Sequence, residues 1–384
     1  MRNLVFTLQF PPRVGGVETM AYELSKHMSQ AGTEISVLTS TEIGGPEFDA
    51  QQAFPIYRIP IGVSDTPFQQ IWQKVKLLRA VNRVLREVNP DCILCLHWDP
   101  CAYLARFAGT WLAPRRPYYL VAHGMELMQL PRGPWARRAK EKVRAYALGG
   151  AREVFAVSRY TRERAIALEI PAARVTVIPN GVALRRAEQP SDHTRSAESP
   201  RILLTLSRLV PRKGHDTVLR ALPHVLRQVP DVTYRIVGEG PERERLENLA
   251  RELQVEKRVE FFGKVTEIEK EQLLQDCDLF VLPCSETETD FEGFGIALLE
   301  AMSHRKPVIA GRSGGVPDVV IDGETGWLVD PANVGELAQL IIYLFHNKRE
   351  ACQVGLNAFE RVRDQFNWET ISRRYLTAMT AGVA

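Results

Sequence analysis

Short apolar runs alternate with longer amphipathic ones along nearly the whole chain, and this alternation predicts strands and helices in turn. In the first half the strand-like runs are LVFTLQF (4–10), ISVLTS (35–40), IYRIP (56–60), CILCL (92–96), YYLVAHG (118–124), EVFAVS (153–158) and VTVIPNG (175–181). Amphipathic stretches lie between several of them, such as ETMAYELSKHMSQAG, which closes on Gly32 as helices often do. The second half repeats the scheme with RILLTLSRL, VTYRIVGEG, VEFFGKV, LFVLPC, PVIAG and GWLVD. Apolar strands separated by helices indicate parallel sheets covered on both faces. Between the halves, VALRRAEQPSDHTRSAESP (182–200) is polar and aperiodic and reads as a linker. The expected organisation is α/β, with doubly wound domains over 1–182 and 201–362, a linker over 183–200 and a final helical segment over 363–384. A cleft between two such domains favours a small-molecule site.

Composition narrows this picture without changing it. A chain of 384 residues is too long for one core and suits two domains. No apolar run reaches the roughly 18 residues that a membrane-spanning helix needs. The opening MRNLVFTLQFPPRVGG reads as a first strand rather than an export signal, so the six cysteines are expected as reduced thiols in the cytoplasm. Cys92 and Cys95 share one strand with their side chains on opposite faces, which suits core packing rather than a metal. Charge is uneven: residues 1–180 carry 23 Lys and Arg against 15 Asp and Glu, and the remainder 26 against 31. A basic first half beside an acidic second half points to an anionic partner for the first.

The chemistry concentrates at strand ends. Glu292 and Glu300 bracket the stretch EGFGIALLE, which follows the strand LFVLP and enters a helix. Glu292 then lies on a loop at a carboxyl strand end, where open α/β sheets bind ligands, and Glu300 lies about two turns into the helix. Gly293 and Gly295 let the backbone approach a ligand, and the helix start offers amides to a phosphate. In SRLVPRKGHD (207–216), Arg208 and Lys213 stand five apart in a loop, and two cations there can converge on a diphosphate.

The spacing of Glu292 and Glu300 resembles the E-x7-E signature of retaining glycosyltransferases of family four, which have the GT-B fold of two Rossmann-like domains facing a cleft. The resemblance covers nearly the whole chain, and E-x7-E together with the spaced Arg and Lys is its specific part. It implies that Glu292 faces the donor sugar, that Glu300 takes the ribose hydroxyls, and that Arg208 and Lys213 neutralise the pyrophosphate. Phe294, Gly295 and Ile296 belong to the same donor loop. It places the Gly15-Gly16 turn of FPPRVGGVE, just before a helix start, beside the donor diphosphate and the acceptor. His123, in the HG context of YYLVAHG, falls next to donor sugar and acceptor. The loop VGEGPER, with Gly238 and Gly240, flanks the base together with FFGKV. Gly314 and Gly315 of GRSGGVPD follow another strand tip, and the last helix crosses back onto the first domain. Two departures stand out: Asp318 where the family usually has Glu, and Ala183 where Asp is commoner.

The implied reaction transfers a hexose from GDP-mannose, UDP-glucose or UDP-N-acetylglucosamine to a hydroxyl of a glycan, lipid or lipid-linked acceptor, with retention. No Asp-x-Asp loop follows a strand, so the transfer is expected to need no metal and no further cofactor. FPPRVGG resembles the opening of bacterial lipid mannosyltransferases, which tilts the donor towards mannose. His97, Trp98 and Asp99 of HWDP, at another strand tip, are the candidate acceptor contacts, Trp98 by stacking on a sugar ring. IWQKVKLLRAVNRVLREV (71–88) and RGPWARRAKEKVRAYAL (132–148) concentrate the basic excess. Each fits either a helix on the anionic inner face of a membrane or a packed helix with a solvated basic face. Nucleic acid is not an expected partner. Three other readings stay open: a sugar-nucleotide binder without transfer, a phosphorylase or sugar-nucleotide epimerase by analogy of fold alone, and a nicotinamide dehydrogenase. The last of these lacks its third fingerprint glycine, since Arg243 stands there.

Overall fold

The computed structural model describes residues 1–60, 67–111, 116–128, 133–184, 200–287 and 290–381. The chain forms two compact units, one of residues 1–180 with 368–384 and one of residues 181–367. Nearly all of the expected linker therefore lies outside the described residues.

In the first unit the strands are β1 (Arg2–Phe6), β2 (Glu34–Ser40), β3 (Ile56–Ile59), β4 (Cys92–Cys95), β5 (Tyr118–Ala122), β6 (Glu153–Ala156) and β7 (Val175–Val177). All pair in parallel in the order β3-β2-β1-β4-β5-β6-β7. Strands such as YYLVA of β5 are buried at every position, which is why they read as unbroken apolar runs. The helix Trp368–Ala381 packs in this unit: Tyr119 donates a hydrogen bond from its hydroxyl to the Met379 carbonyl at 2.9 Å, and the Phe155 and Tyr375 rings meet edge-on at 5.1 Å.

The second unit holds β8 (Arg201–Leu206), β9 (Val232–Val237), β10 (Val259–Gly263), β11 (Leu279–Leu282), β12 (Val308–Gly311) and β13 (Trp327–Val329), parallel in the order β10-β9-β8-β11-β12-β13. It runs on to Asn367 rather than ending near 362. Arg361 donates to the carbonyls of Asp318 and Val319, and the Phe366 ring lies 5.9 Å from that of Phe294, so these residues stay anchored there. Strand order reverses between β8 and β11, as it does between β1 and β4 in the first unit. The crevice outside the carboxyl ends of such strands is where doubly wound sheets bind ligands.

Candidate functional site

Two loops flank the reversal in the second unit, one after β8 and one after β11. The first makes a single turn at Pro211–Lys213 and enters the helix His215–Leu226. The second carries Glu292 into the helix Ile296–Ser303, capped by Gly295 at φ 101°. The loops are tied by the Ser285 amide donating to the Arg212 carbonyl at 2.8 Å. Their side chains then converge on one atom: Arg212 Nη1 and Lys213 Nζ lie 2.7 and 2.5 Å from Glu292 Oε2. Arg212 Nε also pairs with Asp290 Oδ1 at 2.8 Å. Arg212 and Lys213 are each 8 % exposed, so these charges sit where they must be paired.

Burial alone would raise the Glu292 carboxyl, but Lys213 and Arg212 outweigh it and hold its pKa at about 2. Burial likewise opposes the Arg212 charge, and Glu292 overcomes it, so the guanidinium sits above its ordinary value. The Cys284 thiol, 3.7 Å from the same carboxylate oxygen, is pushed up to about 12 by burial and stays neutral.

The sequence singled out Arg208 beside Lys213, yet Arg208 is exposed and the cation that joins Lys213 at Glu292 is Arg212. The burial of Arg212 was not visible in the sequence because its partners, Asp290 and Glu292, lie on another loop. Arg208 contributes through its backbone: its carbonyl lies 3.4 Å from His215 Nε2, which also meets Ser207 Oγ at 3.0 Å. Burial lowers the His215 pKa to about 4, so the ring is a neutral member of this hydrogen-bond chain.

Glu300 accepts from Lys270 Nζ at 2.7 Å, and the same ammonium lies 2.7 Å from Glu267. Lys270 is set by the helix Glu267–Asp276, whose start is fixed by a reciprocal cap between Thr266 and Glu269. Its burial opposes the charge, but Glu300 and Glu267 hold its pKa above that of a free lysine. Phe294 is 3 % exposed, so it supports the loop from below, and Ile296 begins the helix.

Gly314 locks the Glu292 loop from the other side. The Gly315 amide donates to the Glu292 carbonyl at 2.8 Å, and a Cβ on Gly314 would collide with that carbonyl oxygen. Gly238 and Gly240 lie so close to the Ser207 and Leu209 carbonyls that a Cβ on either would clash. Their first role is to let the loop after β9 settle on the loop after β8.

In the first unit, His97 and His123 follow β4 and β5, with ring centroids 5.3 Å apart. His123 Nε2 lies 2.9 Å from the Leu96 carbonyl. Burial, and then the neighbouring His123, lowers the His97 pKa to about 3, so His97 is neutral. Asp99 is paired with Lys140 at 3.1 Å. Trp98 corrects the sequence reading: it is 2 % exposed within the core cluster, and its ring has no open face for a sugar. At the Gly15–Gly16 turn the Glu18 carboxylate lies against Gly15 and pairs with Arg13 at 3.1 Å, so an anion placed there would meet a like charge. The helix runs over Gly16–Gln30, so Gly16 is its first residue rather than part of the turn before it.

Among the described residues no group of three or more His, Cys, Asp or Glu is placed to hold a metal, and no helix is long and apolar enough to cross a membrane.

Residues 14–186 match the family model described as Glycosyltransferase Family 4, and residues 187–361 match Glycosyl transferases group 1. A GDP-mannose-dependent alpha-(1-6)-phosphatidylinositol monomannoside mannosyltransferase of Mycolicibacterium smegmatis is 31% identical, over 97% of this chain and 96% of its own. The N-acetyl-alpha-D-glucosaminyl L-malate synthase of Bacillus anthracis is 29% identical over 95% of this chain and 94% of its own. The fold is also that of the Anabaena protein Alr3699/HepE, solved with UDP-glucose, at a TM-score of 0.79 and 22% identity over 99% of this chain and 100% of that one.

Proposed function

Since this chain belongs to glycosyltransferase family 4, with the two Rossmann-like sheets of a GT-B enzyme, we propose that it transfers a hexose from a nucleoside diphosphate sugar to a hydroxyl, with retention of configuration. The observation that carries the reading is the meeting of Lys213, Arg212 and Glu292 at the strand-order reversal of the second unit. A diphosphate brings the negative charge that a buried lysine is placed to receive, and the same interaction stabilises the departing nucleoside diphosphate.

In this reaction the acceptor oxygen bonds to the anomeric carbon as the bond from that carbon to the phosphate oxygen breaks. The acceptor proton passes to the departing phosphate. Glu292 is not the nucleophile, because its Oε2 already takes two cations and its carboxyl is held at about 2. It faces the sugar hydroxyls instead. Glu300 takes the ribose hydroxyls, and the loops bearing Gly238, Gly240, Gly295 and Ile296 line the donor. Arg208, being exposed, reaches the diphosphate from solvent. His123, His97 and Asp99 serve the acceptor side, and Gly16 stays a donor contact only if Glu18 yields to the phosphate. Charge neutralisation falls to side chains, so the transfer runs without a metal.

GDP-mannose is the favoured donor, on the full-length likeness to mannosyltransferases that use it, and a lipid or lipid-linked glycan is the favoured acceptor. The helix Pro134–Gly150 supports this: Trp135 is 81 % exposed beside Arg138 and Lys142, which suits the surface of an anionic membrane at its cytoplasmic face. A thermal-shift screen against GDP-mannose, UDP-glucose and UDP-N-acetylglucosamine, followed by donor hydrolysis and NMR of the product anomer, tests the proposal. An inverted anomer, or no shift with any of the three, overturns it.

A further inference from the structure

We propose that Arg212 is the positioning residue of the donor site: its guanidinium, forked between Asp290 and Glu292, holds the Glu292 carboxylate in place while Lys213 exchanges that carboxylate for the donor diphosphate. The inference rests on the donor reading above and assigns different tasks to two neighbouring cations.

The geometry separates them. Arg212 is fixed at three points, by Asp290 at Nε, by Glu292 at Nη1 and by the Ser285 amide on its own carbonyl. A planar guanidinium can span two carboxylates at once, here by a hydrogen bond to Glu292 and an ion pair with Asp290, whereas an ammonium is a point charge on a flexible stem. Among the described residues Lys213 Nζ has one side-chain partner, the Glu292 oxygen that Arg212 already contacts. If Arg212 swung away to a phosphate, Asp290 and Glu292 would both lose their fork. If Lys213 leaves, each carboxylate keeps a cation. Two cations and two carboxylates leave this cluster neutral, so an incoming diphosphate needs a charge released to it, and Lys213 is the one whose release strands nothing.

The other groups around Glu292 do not substitute for this cation. Cys284 stays a neutral thiol, and Glu286 is a carboxylate spent on the Gly314 amide at 2.6 Å. Arg208 is exposed on the far part of the same loop.

The test uses the full chain, with the donor found in the screen, and R212Q, R212K, D290N and K213A. Initial rates are measured from pH 3 to 8, and the Glu292 carboxyl is titrated by NMR on δ-13C-glutamate protein. R212Q should titrate Glu292 at clearly higher pH, shift the acid limb of kcat with it, and lower kcat by about tenfold or more, the effect of one lost charge-assisted hydrogen bond. Its donor KM should move far less. R212K should return the titration midpoint towards wild type. K213A should show the opposite split, with donor KM and inorganic pyrophosphate affinity lost and kcat moved far less, although the Glu292 midpoint rises here too because Lys213 also holds that carboxyl down. A wild-type midpoint and acid limb in R212Q, or the same kcat and KM split in R212Q and K213A, overturns the assignment. Should R212Q fail to fold by circular dichroism, D290N decides through the kinetics: loosening Arg212 at one carboxylate should lower kcat with donor KM little moved, and wild-type kinetics would be fatal. A wild-type protein that binds and transfers no sugar nucleotide sinks the functional reading, and the donor-free titration still judges the brace.

Discussion

Lys270 Nζ sits 2.7 Å from Glu300 Oε1, so the second acid of the E-x7-E pair is held by a lysine from the helix that precedes β11. Glu300→Ala should therefore do two things: remove the proposed ribose contact and leave Lys270 to Glu267 alone. Nucleoside diphosphate affinity should fall by tenfold or more, on the scale of a hydrogen bond to a charged group. Isothermal calorimetry with GDP and UDP checks this, and wild-type affinity would remove Glu300 from the site.

A pH effect on stability follows from Glu292. Its carboxyl is depressed from 4.5 to about 2 by Lys213 and Arg212 against its burial. A depressed carboxylate stabilises the fold above its unfolded pKa, and that contribution is lost as pH falls from about 4.5 towards 2. Glu292→Gln should flatten this part of the pH dependence. It should also cost about 3–5 kcal/mol at neutral pH, because two buried cations lose a partner. Urea unfolding at pH 3, 5 and 7 measures both effects.

Gly314→Ala places a methyl group against the Glu292 carbonyl at φ +53°, whereas Gly323→Ala at φ +76° meets open space. Left-handed backbone costs a non-glycine residue roughly 1–2 kcal/mol, and overpacking adds about 1–3 more. Gly314→Ala should thus lower the melting temperature more than Gly323→Ala, and it alone should weaken donor binding. Equal losses in calorimetry and binding would mean that the clash is relieved elsewhere.

The two sheets were legible because each strand is a buried apolar run between amphipathic ones, and the thirteen strands described all fall on runs visible in the sequence. Glu292 and Lys213 were legible from their place at carboxyl strand ends. Arg212 was not. A loop with three cations, Arg208, Arg212 and Lys213, does not announce which will be buried, since that depends on Asp290 and Glu292 eighty residues away. Lys270 was hidden for the same reason, being thirty residues from Glu300. Trp98 misled because a strand-tip position was read as exposure, while its indole is packed into the core.

Membrane association makes a separable prediction. Trp135→Ala with Arg138→Glu and Lys142→Glu removes an exposed ring and reverses two charges on one helix. Flotation with phosphatidylglycerol vesicles should fall severalfold, the loss expected at roughly 1 kcal/mol per basic residue near an anionic surface. Transfer to a soluble acceptor should persist. Equal recovery of wild type and variant would make the basic face a solvated one.

The helix Trp368–Ala381 covers Tyr119 and Phe155, yet it is synthesised after the entire second unit. During translation the first sheet must wait with an aromatic flank uncovered until those late residues emerge, so its maturation is delayed by the chain's own sequence order. Cutting the protein at the boundary between units would yield a first half without its lid, and a soluble version would have to carry residues 368–381 grafted behind 180.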